Sequence, residues 1–188
     1  MVILIGGVSC TGKTLMAQRL LEKYLIPYLS IDHIKMGLIR GNQYCDFSAT
    51  DGDDELTNKL WPVVKGIIKT NIENTQHIII EGYYLPPEGI ADFEPEYLKH
   101  IITLYIGFSK NYLEKHFISG VIEHRSEIEH KAIDGYMNQD NLIKLHTHLK
   151  ERCKINNARF FEINDDYERE MISIYEWIDK QVETKRHL

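Results

Sequence analysis

A glycine-rich segment near the start of the chain has the residue types needed to surround the phosphates of a nucleotide. Its members are Gly7, Val8, Ser9, Cys10, Thr11, Gly12, Lys13 and Thr14. They match the pattern G-x-x-x-x-G-K-[ST] at every defined position, and we refer to residues 7–14 as the P-loop. The two glycines permit positive φ angles and close backbone approach, so that successive N–H groups can contact one phosphate. Lys13 would reach the β- and γ-phosphates and the Thr14 hydroxyl would bind Mg²⁺, so the segment predicts binding of ATP or a close relative.

The sequence on either side of the P-loop matches what this chemistry requires. Residues 2–6 form an aliphatic run that predicts a buried strand. Residues 13–24 carry Leu15, Met16, Leu20 and Leu21 at helical spacing, which predicts an amphipathic helix. The amino end of that helix would direct its positive dipole toward the phosphates. A chance match is the alternative interpretation, and a strand before the motif with a helix after it argues against chance.

Two carboxylates are predicted to lie where a bound nucleotide would meet a phosphoryl acceptor. Asp32 follows a predicted strand at residues 27–31, and Glu81 follows another at residues 77–80. In an open α/β sheet, ligands bind beyond the carboxyl ends of the strands. Phosphoryl transfer needs a carboxylate to hold Mg²⁺ and one to orient the attacking hydroxyl, so both residues are candidates for catalysis or metal binding. The alternatives are a helix cap for Asp32 and a buried structural ion pair for Glu81.

Apolar strands alternate with helical patterns along the chain. Strands are predicted at residues 2–6, 27–31, 77–80, 101–106 and 159–163. Helices are predicted at residues 13–24, 32–40, 55–74 and 167–182, with mostly helical structure at 111–153 broken near 134–135. Asp53 or Asp54 is predicted to cap the long helix, and Pro62 to kink it or to mark its true start. This alternation predicts an α/β fold with a parallel sheet covered on both faces.

Composition limits the classes of function. The chain has 188 residues, a formal net charge of -6 and no basic patch, so we expect a single domain over residues 1–188 and no nucleic-acid partner. Cys10, Cys45 and Cys153 are far apart in sequence, which predicts a reducing compartment rather than a disulfide framework. No apolar run approaches about 18 residues, so we expect no membrane span and a cytoplasmic location. Nothing in the sequence indicates the oligomeric state.

Three features together resemble the small-molecule and nucleoside-monophosphate kinases that carry a P-loop. They are the P-loop itself, the pattern Ser30-x-Asp32 with Arg40 eight residues later, and the run Ile-Ile-Ile-Glu-Gly at residues 78–82. Shikimate, gluconate, adenylate and 2-phosphoglycerate kinases and the zeta toxins share this layout. The resemblance implies a three-layer P-loop kinase fold with a five-stranded parallel sheet in the order 2-3-1-4-5, and it implies ATP and Mg²⁺ as cofactors.

Roles for individual residues follow from the same resemblance. Asp32 would act on the acceptor side, and Arg40 would clamp the acceptor. A helical lid over residues 109–135 would follow the fourth strand, and Arg125 would stabilise the charge that develops on the transferred phosphoryl group. The alternative for Arg125 is a solvated helix face. Residues 82–86 depart from the adenylate kinase pattern Gly-Phe-Pro-Arg and lack its arginine, which argues against a nucleoside monophosphate as acceptor.

The side chains around the predicted site leave the chemical class of the acceptor open. Glu81 and Tyr83 are the further candidates for substrate binding, although Tyr83, like Trp61 and Tyr84, has the alternative of a core position. The acidic stretch at residues 46–55 would favour a neutral or cationic acceptor if it faced the site. Lys35 and Arg40 would favour an anionic one.

Five histidines in the second half of the chain could suggest a metal site. They are His116, His124, His130, His146 and His148. The spacing of the first three differs from the tight i, i+3 or i, i+4 pairs of zinc sites, so we interpret the five as solvated.

The sequence therefore predicts a phosphotransferase, an ATP-dependent kinase that acts on a small molecule. A nucleotide-hydrolysing switch and a nucleotide-binding protein without turnover are the two alternatives. ATP consumption that depends on an added acceptor would distinguish the kinase from both.

Overall fold

The first strand, β1 (Val2–Gly7), lies at the centre of the fold, and all of its residues are buried. The structure is a computed structural model that describes residues 1–41, 45–124 and 138–185. β1 has parallel partners on both sides, β3 (Ile78–Gly82) and β4 (Ile101–Phe108). A strand that is covered on both faces and paired on both edges has no solvent-facing positions, which explains its continuous apolar run.

The sheet has five strands and is parallel throughout. β2 (Tyr28–Ser30) pairs with β3, and β5 (Phe160–Ile163) pairs with β4. The resulting order is β2-β3-β1-β4-β5, which confirms the predicted topology. The carboxyl ends of all five strands therefore lie at one edge of the sheet, where the P-loop follows β1.

Helices cover both faces of this sheet. Their bounds are α1 (Lys13–Tyr24), α2 (Ile31–Gly41), α3 (Asp53–Glu73), α4 (Pro95–Leu98), α5 (Lys110–His116), α6 (Gln139–Ile155) and α7 (Tyr167–Lys185). Residues of α1 and α7 pack into one hydrophobic cluster with one face of the sheet, and residues of α3 pack into a second cluster on the other face. The three-layer α/β architecture expected from the sequence is confirmed.

α3 contradicts one of the two alternatives predicted for Pro62. The helix continues through this proline, so Pro62 does not mark its true start, although the Asn58 carbonyl lacks the N–H partner that another residue would supply. Leu60, Trp61 and Val64 are buried on either side of Pro62, and their packing outweighs the missing hydrogen bond. The predicted cap also differs, because Gly52 occupies the N-cap position and Asp53 and Asp54 lie within the first turn.

The predicted helical stretch at residues 111–153 consists of separate pieces. α5 ends at His116 and is followed by a π-helical segment, Phe117–Ile122. α6 begins after Asn138, whose side-chain oxygen accepts a hydrogen bond from the Asn141 N–H at 2.9 Å. The break expected near 134–135, and most of the expected lid beyond Ile122, fall outside the described residues. In the part of the chain that is described, none of the helices combines the length and apolarity needed to span a bilayer.

Truncation of Leu60 should show that α3 packs on the sheet through the stretch around Pro62. Leu60 is fully buried, so Leu60→Ala removes apolar contacts and leaves a cavity, and we expect a loss of about 2–5 kcal/mol in the free energy of unfolding. Urea denaturation measures this loss. Val63→Ala is the matched control on the exposed face of the same turn and should change stability by about 0.5 kcal/mol or less. Equal losses in the two variants would contradict the packing described for α3.

Candidate active site

Two glycines allow the P-loop to turn tightly between β1 and α1. Gly7 has a φ of 153°, and a Cβ at this position would lie 2.5 Å from the Ile106 carbonyl oxygen of β4. Gly12 has a φ of 82°, and a Cβ there would collide with the Tyr167 hydroxyl of α7. Both positions therefore require glycine, for backbone conformation and for space. The sequence pattern predicted this requirement correctly.

Inside the loop, the Val8 carbonyl oxygen accepts hydrogen bonds from two side chains. The Lys13 ammonium donates to it at 2.8 Å and the Thr11 hydroxyl at 2.9 Å. Lys13 is only 8% exposed, and it begins α1, with Thr14 directly after it. Cys10 has a left-handed backbone conformation with a φ of 65°. The buried Lys13 ammonium and the amino end of α1 thus lie in one turn, and this arrangement favours the binding of an anion there.

Two buried oxygen atoms on adjacent strands have no hydrogen-bond partner. Glu81 is at the end of β3 and Ser30 at the end of β2, and the two residues are paired in register. Their side chains therefore point to the same face of the sheet. Glu81 is 2% exposed and Ser30 is 1% exposed, yet Glu81 Oε1 and Ser30 Oγ are both unpartnered within the structure. Buried polar atoms without partners are costly, so these two indicate a place where a ligand or water supplies the missing contacts.

Ile5 shows which face Glu81 occupies. It is the residue of β1 that pairs with Glu81, and it packs in the cluster that contains Met16 and Ala17 of α1. Glu81 consequently lies on the face covered by α1, the helix that begins with Lys13 and Thr14. The predicted structural ion pair of Glu81 is not seen among the ion pairs of the described residues.

Asp32 lies in the first turn of α2 and is held by Lys35. The Lys35 ammonium is 2.9 Å from Asp32 Oδ1 and also donates to the Tyr84 hydroxyl at 3.1 Å. The side chain of Lys35 is only 13% exposed. Burial lowers the pKa of Lys35, but hydrogen bonds and charge from Asp32 and Tyr84 outweigh it, and the net pKa is raised. Nothing in the sequence distinguished Lys35 as the partner of Asp32 beyond its i+3 spacing on a helix.

A cleft of ≈ 290 Å³ lies beside the P-loop. Its walls come from the P-loop, the amino end of α3, the segment after β3, and α6. The lining residues are Gly7, Val8, Gly52, Asp53, Asp54, Thr57, Tyr83, Leu85, Pro86, Leu145, His148, Leu149 and Arg152. The cleft therefore brings two parts of the chain to the P-loop. Residues 52–57 overlap the acidic stretch whose position the sequence left open, and residues 145–152 were not connected with the P-loop by the sequence.

Tyr83 joins this cleft to the Asp32 group. It lines the cleft together with Asp53, and its ring meets the Tyr84 ring edge-on with centroids 5.3 Å apart. Burial and then the Asp53 carboxylate raise the pKa of Tyr83, so it remains a neutral donor. Tyr84 and Trp61 are mostly buried core residues instead, and Trp61 donates to Asp92 at 2.9 Å.

Arg40 and Arg125 are the two arginines named from the sequence. Arg40 is exposed in the last turn of α2 and does not line the cleft. Arg125 falls outside the described residues. The arginine that does line the cleft is Arg152 of α6, and its guanidinium forms an ion pair with Glu88. No spacing in the sequence indicated Arg152, because α6 reaches the cleft only through the tertiary fold.

His146 is buried beside the P-loop, which corrects its interpretation as solvated. It is 2% exposed, and its Nδ1 accepts a hydrogen bond from the Phe108 N–H at 3.0 Å. An accepting Nδ1 places the ring proton on Nε2, which is buried without a partner. Burial, and then the nearby Lys13 ammonium, lower the pKa of His146 to about 3. The ring is therefore neutral at physiological pH. Among the described residues, no group of three or more His, Cys, Asp or Glu could hold a metal.

Protonation of His146 should make the fold less stable in mild acid. The pKa of His146 is lowered in the folded state, so its contribution to the free energy of unfolding is complete above the unfolded pKa of about 6.5 and is lost as the pH falls toward 3. One proton that binds the unfolded chain but not the folded chain lowers this free energy by about 2 kcal/mol between pH 7 and pH 5. His146→Gln retains an acceptor for the Phe108 N–H but cannot titrate. Urea unfolding at the two pH values should show a smaller pH-dependent loss in this variant than in the wild type.

His148→Gln serves as the control for this measurement, because His148 is exposed two residues along the same helix. It should retain the wild-type pH dependence. If His146→Gln and the wild type lose stability equally between pH 7 and pH 5, the neutral buried state of His146 is wrong.

The chain matches no protein-family model and no curated protein. Solved structures do match. Shikimate kinase from Aquifex aeolicus has a TM-score of 0.57 at 14% identity, over 97% of this chain and 98% of that chain. A sugar kinase from Janibacter sp. has a TM-score of 0.56 at 12% identity, over 95% and 94%. Shikimate kinase from Bacteroides thetaiotaomicron has a TM-score of 0.51 at 12% identity, over 95% and 98%. At these identities the likeness establishes architecture alone, and the chain shares its fold with these solved structures.

Proposed function

We propose that the protein is an ATP-dependent kinase that transfers the terminal phosphoryl group of ATP to a small-molecule acceptor. The observation that carries the proposal is the pair of unpartnered buried oxygens, Ser30 Oγ and Glu81 Oε1, on the face of the sheet covered by the helix of the P-loop. A nucleotide-binding loop that adjoins an unsatisfied carboxylate, with an open cleft alongside, has the parts that phosphoryl transfer needs.

The P-loop would hold the phosphates of ATP. Backbone N–H groups of residues 7–14 and the amino end of α1 favour negative charge at this turn. Lys13 would exchange its hydrogen bond to the Val8 carbonyl oxygen for contacts with the β- and γ-phosphates. Because Lys13 is already buried in the turn, little side-chain entropy would be lost when it contacts phosphate.

The oxygen atoms in this region fit Mg²⁺. Mg²⁺ prefers oxygen ligands and keeps several waters, so one or two protein oxygens with phosphate suffice. Glu81 and the Thr14 hydroxyl are the residues that would hold the ion, directly or through water, with Asp32 as the further carboxylate. When bound, Mg²⁺ would neutralise charge on the phosphate oxygens.

Asp32 is the residue that would activate the acceptor. The Lys35 ammonium fixes its orientation at the end of β2, and the contacts of Lys35, Tyr84 and Tyr83 extend from there to the cleft. In the transfer step, the acceptor hydroxyl gives its proton to Asp32, and its oxygen forms a bond to the γ-phosphorus. The bond from that phosphorus to the β–γ bridging oxygen breaks. The products are ADP and a phosphate monoester, and the proton passes to solvent.

The remaining sequence-based roles stay as proposals. Tyr83 would contact the acceptor within the cleft. Arg40 would clamp the acceptor, and Arg125 would stabilise the charge on the transferred phosphoryl group. A nucleotide-hydrolysing switch is the competing function. It would consume ATP at the same rate with and without an acceptor, whereas a kinase requires one.

Nucleotide binding should depend on Lys13, and its Mg²⁺ dependence on Glu81. Calorimetric titration of ADP with and without Mg²⁺ separates the two effects. Lys13→Ala should weaken binding at least about tenfold under both conditions, since it removes a charged hydrogen bond to phosphate. Glu81→Gln should leave binding of metal-free ADP nearly unchanged and should reduce the enhancement by Mg²⁺.

Lys23→Ala is the matched control, because Lys23 lies in the last turn of the same helix and forms an ion pair with Asp179. It should bind ADP as the wild type does. Absence of ADP binding to the wild-type chain at millimolar concentration would remove the proposed function altogether.

Asp32→Asn should separate binding from transfer. We expect ADP affinity to change by less than about threefold, while acceptor-dependent ADP formation falls at least about a hundredfold, as loss of a positioned base does. A coupled assay with a confirmed acceptor measures the rate. Asp46→Asn is the control, because Asp46 is an exposed aspartate that pairs with Lys59 away from the cleft lining. Wild-type transfer by Asp32→Asn would assign the base to another residue.

A further inference from the structure

The charges around the cleft bear on the chemical class of the acceptor, an inference that rests on the kinase function proposed above. Of the described residues that line the cleft, the formally charged ones are Asp53, Asp54 and Arg152. Carboxylates therefore outnumber permanently charged cations on these walls, and the imidazole of His148 is the other basic group in the lining. The cleft volume of ≈ 290 Å³ is at the small end of the range for ligand pockets, about 300–1,000 Å³, so an acceptor would contact these walls closely.

Lys13, which contacts the lining residue Val8, would be engaged by the phosphates of ATP, and two further cations near the cleft already have carboxylate partners. Arg152 is paired with Glu88, and both side chains remain partly exposed. Lys35 is held between Asp32 and the Tyr84 hydroxyl. An anionic acceptor would have to compete with these carboxylates for each cation. Neither Arg152 nor Lys35 could therefore bind an acceptor carboxylate or phosphate without competing with the carboxylate that already holds it.

The amino end of α3 would ordinarily favour an anion, but its sequence reverses that tendency. Helix amino ends carry a partial positive charge of about half a unit. The first turn of α3 contains Asp53, Asp54 and Glu55, which together exceed that charge. Asp53 and Asp54 both line the cleft, so the α3 end presents net negative charge to a bound molecule.

An aromatic ring lies beside one of these carboxylates. Tyr83 and Asp53 both line the cleft, and the negative charge of Asp53 helps to raise the pKa of the Tyr83 hydroxyl. A carboxylate and an aromatic ring in one lining can both attract an ammonium group. The neighbouring Tyr84 already shows such a contact, with the Lys35 ammonium 4.7 Å from its ring centroid.

We propose that the acceptor is a small hydroxylated molecule that also carries a positively charged amine. The ammonium lies against Asp53, Asp54 and the Tyr83 ring, and one hydroxyl points toward the P-loop, where it receives the phosphoryl group. The amine takes no part in the bond changes of the transfer step. It orients the molecule and sets the preference over neutral and anionic alcohols of the same shape.

Matched sets of probes test this preference. One set is glucosamine, glucose and glucuronate, and the other is 2-amino-1,3-propanediol, glycerol and glycerate. Within each set the skeleton is similar and the charge changes from positive to neutral to negative. Binding to the full chain, with and without MgADP, is measured by ligand-observed NMR titration. We expect the amine of at least one set to bind about tenfold more tightly than its neutral partner, and both carboxylates to bind more weakly still.

Two charge variants locate the preference. The double variant Asp53→Asn with Asp54→Asn should reduce the advantage of the amine to about twofold or less. Glu55→Gln is the control, because it removes a carboxylate from the same helical turn at a position that does not line the cleft. It should preserve the advantage.

The outcomes separate this inference from the kinase function. Tighter binding of the neutral or anionic probe, or no tighter binding of the amine in either set, overturns the inference, even when MgADP binding is intact. Amine-selective binding that disappears in the double variant supports it. If that selective binding is present but no ADP forms with the amine probes or with larger amino alcohols, the kinase function fails while the charge preference of the cleft stands.

Discussion

The close passage of Gly7 beside the Ile106 carbonyl of β4 fixes the position of the whole candidate site. β1 ends between two parallel strands, and its last residue has no room for a side chain on the β4 side. The chain can leave the sheet only by turning tightly, and it begins α1 at Lys13. The ammonium of Lys13 and the first N–H groups of α1 are therefore placed by the packing of the sheet rather than by the loop itself. The Ser30 hydroxyl and the Glu81 carboxylate, at the ends of β2 and β3, gain their positions from the same parallel register.

The charged groups give the P-loop side and the cleft side of the candidate site opposite electrostatic character. On the P-loop side, a buried ammonium and the amino end of α1 favour anions, and the neighbouring His146 ring adds no positive charge because it is neutral. On the cleft side, carboxylates already engage the cations, and α3 presents acids at its amino end. A molecule that bridges the two parts would meet a positive region at one end and a negative one at the other. This polarity follows from side chains contributed by α1, α2, α3 and α6, which only the folded chain brings together.

The parts of this arrangement that depend on local sequence could be predicted. The five strands are short apolar runs, and the P-loop contains its own glycines, so both were recognisable without a structure. The parts that depend on distant contacts could not. The local sequence does not distinguish His146 from an exposed histidine, because its burial follows from the packing of α6 against the end of β4. The same packing brings Arg152 to the cleft. Pro62 looked like a boundary because local propensity opposes it, and the buried residues around it overrode that propensity. Lys35 is intermediate, since its i+3 spacing from Asp32 is local while its burial against Tyr84 is not.

The central position of β1 also has a consequence for synthesis of the chain on the ribosome. Val2 pairs with Ile78 on one side and with Ile101 on the other, so each partner strand emerges many residues later. Until β4 has left the exit tunnel, β1 is an aliphatic segment without its full set of neighbours, and Gly7 has no Ile106 carbonyl beside it. Contacts this distant in sequence slow folding and prolong the exposure of apolar strands. Nucleotide cannot shorten that interval, because the loop that would bind it acquires its shape only when the middle of the sheet closes.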